Sequence, residues 1–240
     1  SSGKTVVSTG LAAALGAGVQ TFKKGPDYID PMWLSLASGR PCYNLDFNTM
    51  DRDELAAFYA SHAGDLSLIE ANKGLYDGVA VDGSDSNAEL AKLLKAPVVL
   101  VVDTTGTTRG IAPLLMGYQA FDRDVNIAGV ILNKTGGARH ESKLRAAVET
   151  YTDLPVLGAV GRSDDLEIGE RHLGLTTPAE TGAVRAMIDR FAGIIGDAVD
   201  LEKLRAIAAT APDLGIQPAP SMMSAAKRVR IAIDRDTAFG

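Results

Sequence analysis

The chain has 240 residues, of which 46% are hydrophobic and 22% charged, and its formal net charge is -6. This length and apolar content allow a large buried core, which excludes an intrinsically disordered protein. The acidic balance argues against a nucleic-acid partner, and no apolar run reaches the roughly 18 to 20 residues of a membrane helix. One cysteine, Cys42, excludes an internal disulfide, and we therefore expect a cytoplasmic protein without a membrane partner.

Short β-branched runs alternate along the chain with longer amphipathic stretches. The predicted strands span 19–23, 66–71, 97–103, 126–133 and 156–160, and the predicted helices span 5–15, 54–62, 86–94, 110–121, 141–151 and 181–195. Two of the strands are almost continuous apolar runs, as in strands buried on both faces of a parallel sheet. The pattern predicts an α/β fold with an open, doubly wound, mostly parallel sheet, which binds ligands at the carboxyl ends of its strands.

The composition changes near residue 211 and predicts the domain organisation. Residues 211–226 are rich in proline and small residues and precede a basic and apolar run, KRVRIAI. We expect residues 1–210 to form one α/β domain, residues 211–226 a linker, and residues 227–240 the first strand of a second, truncated domain.

The opening stretch SSGKT corresponds to the second half of a phosphate-binding loop. In this reading Ser2 and Gly3 belong to the loop, Lys4 reaches the terminal phosphates and Thr5 binds Mg²⁺. The helical pattern and the strand that follow are the setting that such a loop requires. The alternative is an ordinary helix start that is capped by Ser2.

Acidic residues follow two of the predicted strands. Glu70 ends the strand at 66–71, Asp77 lies in a glycine-rich loop, and the stretch KKGPDYIDP places Asp27 and Asp30 shortly after Lys23. Carboxylates near a phosphate loop are typical ligands for the metal of Mg-ATP. The alternatives are a solvated strand end and a common turn.

Polar residues also follow the strands at 97–103 and 126–133. Asn133 offers an amide to the edge of an adenine base, although an asparagine also commonly ends a strand in a turn. The threonines of VVDTTGTTRG are expected to cap the next helix. Both assignments place candidate ligand contacts at the carboxyl edge of the sheet.

Longer motifs occur in a fixed order: GKT, FKKGPDYIDPMWL, GRPCYNLD, IEANKGLYDG, GVILNK and ERHLGL. On these motifs the chain resembles the cobyrinic acid a,c-diamide synthase family, which includes relatives that amidate sirohydrochlorin-type tetrapyrroles. The resemblance spans residues 1–179. It implies a P-loop NTPase domain similar to dethiobiotin synthetase, followed by a class I glutaminase domain of which residues 227–240 are the start.

The implied reaction belongs to cobalamin biosynthesis. A substrate carboxylate is activated with ATP as an acyl phosphate, and ammonia from glutamine converts it to an amide, so the resemblance implies ATP and Mg²⁺ as cofactors. The partners it implies are a tetrapyrrole substrate and glutamine or ammonia, and synthetases of this sheet type often form homodimers.

The resemblance also implies roles for individual residues. Lys23 serves the transferring phosphoryl group, and Asp27, Glu70 and Asp77 hold metal or order the site. The implied metal ligands are Thr5, Asp27 and Glu70, and the residues expected to face the tetrapyrrole are Tyr28, Asp30 and Asn44. Loops at 25–31 and 72–84 are expected to close over the substrate, which protects an acyl phosphate from water.

Two parts of the family pattern are missing from the sequence. The first glycine of the phosphate loop and the glutaminase nucleophile with its histidine do not occur, which predicts that the chain is a fragment. Cys42 lies far upstream of the linker and is expected to be a small apolar filler. We expect structural roles for His140 and His172, and either a core position or contact with the macrocycle for Trp33 and Tyr43.

Three other functions fit parts of the sequence. A sirohaem or sirohydrochlorin a,c-diamide synthase would use the same motifs on another macrocycle. A partition-type regulatory ATPase would use the loop and the sheet without a small-molecule substrate. A dethiobiotin-synthetase-like ligase would act on a smaller acid without glutamine, and the predicted second domain argues against it.

Overall fold

A computed structural model describes residues 2–166, 168, 170–171, 174–175 and 183–216. His172 and the predicted strand at 227–240 lie outside these residues, as does the linker beyond residue 216. The described helices are α1 Lys4–Leu15, α2 Ile29–Ser38, α3 Arg52–His62, α4 Asn87–Leu93, α5 Ile111–Phe121, α6 Ala138–Tyr151, α7 Val184–Ala198 and α8 Leu201–Ala208. The described strands are β1 Val19–Lys24, β2 Tyr43–Leu45, β3 Leu66–Glu70, β4 Val98–Asp103, β5 Ile127–Thr135, β6 Val156–Gly161, β7 Glu170–Arg171 and β8 Gly174–Leu175.

The predicted alternation of strands and helices is confirmed, with differences of a few residues at the ends. The sequence patterns missed α2, α8, β2 and the two-residue strands β7 and β8. Helix α2 begins inside the turn-like stretch GPDYIDP, where Pro31 is tolerated because it lies in the first helical turn. The predicted loop at 25–31 is therefore wrong in its second half, since the helix begins at Ile29. Strand β2 has three residues, too few for a periodic signal.

The strands form two parallel three-stranded sheets, ordered β2-β1-β3 and β4-β5-β6, and β7 and β8 form a separate antiparallel pair. The parallel arrangement confirms the predicted fold class. Within the described residues, however, β3 and β4 do not pair, so the expected sheet consists of two halves. A cavity of about 590 Å³, here called the inter-sheet slot, lies between these two strands.

The strand registers place the predicted site residues at one edge of the two sheets. Lys23 at the end of β1 is opposite Glu70 at the end of β3. Asp103 at the end of β4 is opposite Asn133 in β5. Because these strands are parallel, their carboxyl ends meet at the same edge, as the doubly wound architecture requires.

Helix α1 packs against α7 beneath this edge. Gly10 lies so close to the partner helix that a Cβ atom there would be 2.5 Å from Ile195 Cγ1 and 2.9 Å from the carbonyl oxygen of Phe191. Apolar residues of α1, including Val7 and Leu11, share a core cluster with residues of β5, β6 and α7. None of the described helices combines the length and the apolarity needed to cross a membrane.

Candidate functional site

The centre of the candidate site is the ammonium group of Lys23, which is enclosed by three carboxylates. Lys23 Nζ lies 2.9 Å from Glu70 Oε1 and 3.7 Å from Asp27 Oδ2, and it also forms an ion pair with Asp30. The side chain of Lys23 is only 3% exposed. The strand register brings Glu70 beside Lys23, whereas Asp30 lies in the first turn of α2 and Asp27 in the turn before this helix. We call these four residues the Lys23 cluster.

The start of α1 reaches the Lys23 cluster through Thr5. Its hydroxyl donates a 2.7 Å hydrogen bond to Glu70 Oε1, the same oxygen that contacts Lys23. Gly3 precedes the helix in the left-handed conformation, with φ 79°, a conformation that glycine adopts without strain. The end of the predicted phosphate loop and the predicted carboxylates therefore belong to one site.

Burial and charge together set the protonation of the Lys23 cluster. Burial alone would lower the pKa of Lys23, but the charges and hydrogen bonds of Glu70 and Asp30 outweigh burial and raise it. Burial also raises the pKa of Glu70, against the attraction of Lys23. Burial and repulsion by Asp30 raise the pKa of Asp27. The site therefore keeps a permanent cation beside carboxylates that accept protons more readily than usual.

Lys4 supplies a second cation at the same edge. It is half-buried, and it forms no ion pair within 4.0 Å in the part of the chain that the structure describes. Burial lowers the pKa of Lys4, and the charge of Lys23 acts in the same direction, while Glu70, Asp30 and Asp77 act against them. The ammonium group of Lys4 is therefore available to bind an anion, as expected for the lysine of a phosphate loop.

The turn between β1 and α2 is held from two sides. Asn44 Nδ2 donates to the carbonyl oxygens of Gly25 and Asp27, while Asp27 Oδ1 accepts from the backbone nitrogen of Ile29. Asn44 therefore positions the turn, and its contact with a substrate stays a prediction. Tyr28, at the tip of the turn, is 57% exposed and available to a ligand.

Asn133 contacts the opening turn directly. Its Nδ2 donates a 2.8 Å hydrogen bond to the carbonyl oxygen of Ser2, so the amide nitrogen is already engaged. The backbone of Asn133 also anchors Thr104, which donates to the Asn133 carbonyl oxygen from its hydroxyl and its backbone nitrogen. The predicted contact of Asn133 with adenine stays a prediction, and the observed role is to join β5 to the phosphate loop.

Asp77 lies outside the Lys23 cluster. Its carboxylate is exposed and accepts a 3.0 Å hydrogen bond from the backbone nitrogen of Gly74. It acts on the site through its charge, which raises the pKa of Lys4. The surrounding loop at 72–84 is irregular, as predicted, and Asp85 holds it by accepting from the backbone nitrogens of Val79 and Ala80.

The residues of the site fit Mg²⁺ only together with phosphate oxygens. The described residues contain no group of three or more His, Cys, Asp or Glu side chains arranged to hold a metal ion. Mg²⁺ commonly binds one or two carboxylates and completes its coordination with substrate phosphates and water. Glu70 Oε2 is buried and has no hydrogen-bond partner among the described residues, so it can accept such a ligand bond beside Thr5.

A second polar group lies at this edge, in the residues that follow β4, β5 and β6. Lys134 Nζ lies 2.9 Å from Asp103 Oδ2, and Arg162 Nη2 donates to Thr105 Oγ1. His140 Nδ1 accepts from the backbone nitrogen of Gly136, and its Nε2 lies within hydrogen-bond distance of a backbone carbonyl in the loop after β4. The available sequence signal was the position of Asp103 at the end of a strand.

Two further predictions concern packing. Trp33 is fully buried in a cluster with Ile188 and Phe191. The predicted core position of Trp33 is therefore confirmed, and the alternative prediction, contact with a macrocycle, is wrong. Tyr43 is partly buried and contacts Phe22 as part of an aromatic group on the other face of β1. Burial raises the pKa of the Cys42 thiol to about 11, which agrees with a filler rather than a nucleophile.

Fold and site together define a P-loop NTPase-like α/β protein. A family model described as an AAA domain matches residues 44–168, which is just over half of the chain. The match covers the carboxyl-terminal part of the site, including Glu70 and Asn133.

Curated relatives match over the whole chain. Proteins named cobyrinate a,c-diamide synthase from Magnetococcus marinus and Dehalococcoides mccartyi are 43% and 42% identical over 100% of the chain, which covers 54% of each relative. One from Picrophilus torridus is 42% identical, with 55% of the relative covered. The chain belongs to the cobyrinate a,c-diamide synthase family, and it spans about half the length of these relatives.

Proposed function

We propose that the protein amidates the a and c acetate carboxylates of a cobyrinic acid-type tetrapyrrole, using ATP and ammonia from glutamine, in cobalamin biosynthesis. The observation that carries the proposal is the Lys23 cluster, which Thr5 joins to the start of α1. The printed names of the relatives supply the substrate class.

In the first step, an oxygen of the substrate carboxylate attacks the γ-phosphorus of ATP. The bond from that phosphorus to the β,γ-bridging oxygen breaks, and ADP leaves. Both reactants are anionic, so cations must lie between them. The buried ammonium of Lys23 meets this need, as does Lys4, which has no ion-pair partner among the described residues. Such charge in a site shielded from water commonly contributes several kcal/mol.

In the second step, the lone pair of ammonia attacks the acyl carbon. The bond from that carbon to the phosphate oxygen breaks, inorganic phosphate leaves and the nitrogen loses a proton. We assign the release of ammonia from glutamine to a glutaminase domain that begins with the strand predicted at 227–240. Free ammonia would serve the synthetase domain without that second domain.

Mg²⁺, when bound, would neutralise part of the triphosphate charge. Thr5, Asp27 and Glu70 are the residues that would hold it, with Glu70 Oε2 as the acceptor that is left without a partner among the described residues. Asp77 would bias Lys4 through its charge. On the substrate side we assign Tyr28, Asp30 and Asn44, and we expect a cytoplasmic homodimer.

The test is an amidation assay on the full-length protein with ATP, glutamine and cobyrinic acid. Two successive products should appear by mass spectrometry, each with the mass decrease caused by replacing a hydroxyl with an amino group. Ammonium salt should replace glutamine. Amidation of sirohaem or sirohydrochlorin alone would correct the substrate, and phosphate release without an amide would favour the partition-type ATPase.

A further inference from the structure

Three lysines among the described residues have a positive backbone φ, which is 29° at Lys73, 46° at Lys95 and 58° at Lys134. A residue with a Cβ atom seldom adopts this conformation, because it costs free energy. Lys95 directly follows Leu94, the residue that ends α4, and a left-handed residue commonly occupies that position. The ammonium group of Lys134 is engaged in an ion pair with Asp103. Neither explanation applies to Lys73.

The backbone around Lys73 is held by one buried side chain of α4. Asn87 Nδ2 donates hydrogen bonds of 2.8 Å to the carbonyl oxygen of Asn72 and 2.6 Å to that of Gly74, the two neighbours of Lys73. Asn87 is only 5% exposed. The backbone nitrogen of Gly74 in turn donates to Asp77. Strained backbone persists where surrounding contacts impose it, and such positions cluster at functional sites.

Lys73 lies at the carboxyl edge of the sheet, beside the turn between β1 and α2. It comes three positions after Glu70, the last residue of β3. The side chain of its neighbour Asn72 lies against Gly25, where a Cβ atom would be 2.9 Å from Asn72 Nδ2. The same turn carries the exposed side chain of Tyr28. Lys73 therefore borders the side of the site to which we assign the substrate.

The charge of Lys73 is not neutralised by the described part of the chain. Lys73 is exposed and forms no ion pair with any described residue. By contrast, Lys23 is buried among carboxylates, and Lys4 is half-buried at the start of α1. Burial lowers the pKa of Lys24 at the end of β1, and the charge of Lys73 acts in the same direction. Lys73 is thus a cation at the rim of the site.

We propose that Lys73 binds a carboxylate of the tetrapyrrole substrate other than the a and c acetates. The inference rests on the proposed function, in which Lys4 and Lys23 serve the ATP phosphates. A cobyrinic acid-type macrocycle carries several further carboxylates, and Asp27 and Asp77 repel such a polyanion as it approaches. An exposed cation on a fixed backbone offsets this repulsion and orients the macrocycle through one of these carboxylates.

The test is the Kd of cobyrinic acid, measured by isothermal titration calorimetry on the full-length protein with a non-hydrolysable ATP analogue. Substitution Lys73→Met should raise this Kd about fivefold to tenfold, because a charge-assisted hydrogen bond is lost. Lys73→Arg keeps the cation and should stay within about twofold of the wild type. The a,c-diamide product should lose as much affinity for K73M as cobyrinic acid does. In amidation, K73M should raise KM and leave kcat unchanged.

The matched control is Lys95→Met, which removes an exposed lysine of positive φ at the other end of α4. The Kd of this variant should equal that of the wild type. Equal Kd values for the wild type and K73M would overturn the inference and leave the proposed function standing. So would a loss of affinity for cobyrinic acid but not for the a,c-diamide, since Lys73 would then contact an acetate that is amidated. A wild type that did not bind cobyrinic acid would overturn the proposed substrate as well.

Discussion

Lys23 is a buried cation whose partners are supplied by three separate parts of the chain. Glu70 comes from β3, Asp27 and Asp30 come from the turn before α2 and the first turn of that helix, and Thr5 joins the group through Glu70. Removing one member of a buried ion pair leaves an uncompensated charge, which costs more than the pair itself contributes. Lys23 should therefore affect stability as well as activity.

Substitution Lys23→Met should lower kcat/KM for amide formation by about 10²- to 10³-fold in the full-length protein, because the cation between the two anionic reactants is lost. The free energy of unfolding should also fall by about 3 kcal/mol, since Glu70 is left buried and unpaired. Steady-state kinetics and urea unfolding measure the two effects.

The matched control for this variant is the double substitution K23M/E70Q. Replacing the unpaired carboxylate with an amide should restore most of the lost stability and none of the activity. A single K23M variant as stable as the wild type would show that Lys23 does not form the ion pairs described above.

At the scale of helices, individual residues explain the start of α3 and the packing of α1. Helix α3 begins with a capping box, in which the Asp51 side chain accepts from the backbone nitrogen of Glu54 and the Glu54 side chain accepts from the backbone nitrogen of Asp51. Helix α1 depends instead on the absence of a side chain at Gly10, where α7 passes closest.

Substitution Asp51→Ala should lower the free energy of unfolding by about 1 kcal/mol, because the backbone nitrogen of Glu54 loses the side-chain oxygen that caps it. The control is Asp53→Ala in the same helical turn, which removes an acidic side chain but no cap and should cost about 0.3 kcal/mol. Urea unfolding of both variants measures their free energies of unfolding. Equal decreases in the two variants would contradict a specific role of the cap.

Substitution Gly10→Ala should destabilise the protein by about 1 to 3 kcal/mol, since the new methyl group would overlap the backbone and side chains of α7. The control is Gly117→Ala in α5, where no atom lies within 4 Å of the new Cβ. That variant should gain up to about 1 kcal/mol from helix propensity. Thermal unfolding that shifted the same way in both variants would contradict the close packing of α1 and α7.

At the scale of the whole molecule, the two half-sheets differ in the charged groups at the carboxyl ends of their strands. The β2-β1-β3 half carries the Lys23 cluster, and the β4-β5-β6 half carries the half-buried pair of Asp103 and Lys134. Burial would raise the pKa of Asp103, but hydrogen bonds from Thr105 and Lys134 outweigh it and lower the pKa to about 2.

This low pKa predicts a pH-dependent contribution to stability. A depressed carboxyl pKa stabilises the folded state above the unfolded value, near 3.8, and the contribution disappears as the pH falls towards about 2. The difference in free energy of unfolding between the wild type and Asp103→Asn should therefore shrink below about pH 4. Urea unfolding across this range measures it, and a difference that did not vary with pH would contradict the pairing.

Much of the fold and part of the site could be predicted because the signals are local. Strand β5 is a continuous apolar run, α6 is amphipathic, and parallel strands deliver their end residues to one edge, so Lys23, Glu70 and Asn133 were expected there. Helix α2 was missed because its turn-forming residues also suit a helix start, and β2 because it is too short to show a period.

The sequence by itself determined the alternation of elements, the residue types of the site and the edge at which they lie, since these depend on periodicity and on parallel strand geometry. Only the tertiary structure decided that Lys23 is enclosed by carboxylates, that Asn44 and Asn133 hold backbone turns, and that Trp33 is core. The physical reason is that side-chain partners far apart in the chain are chosen by packing and register. No local pattern records which of several polar groups will meet.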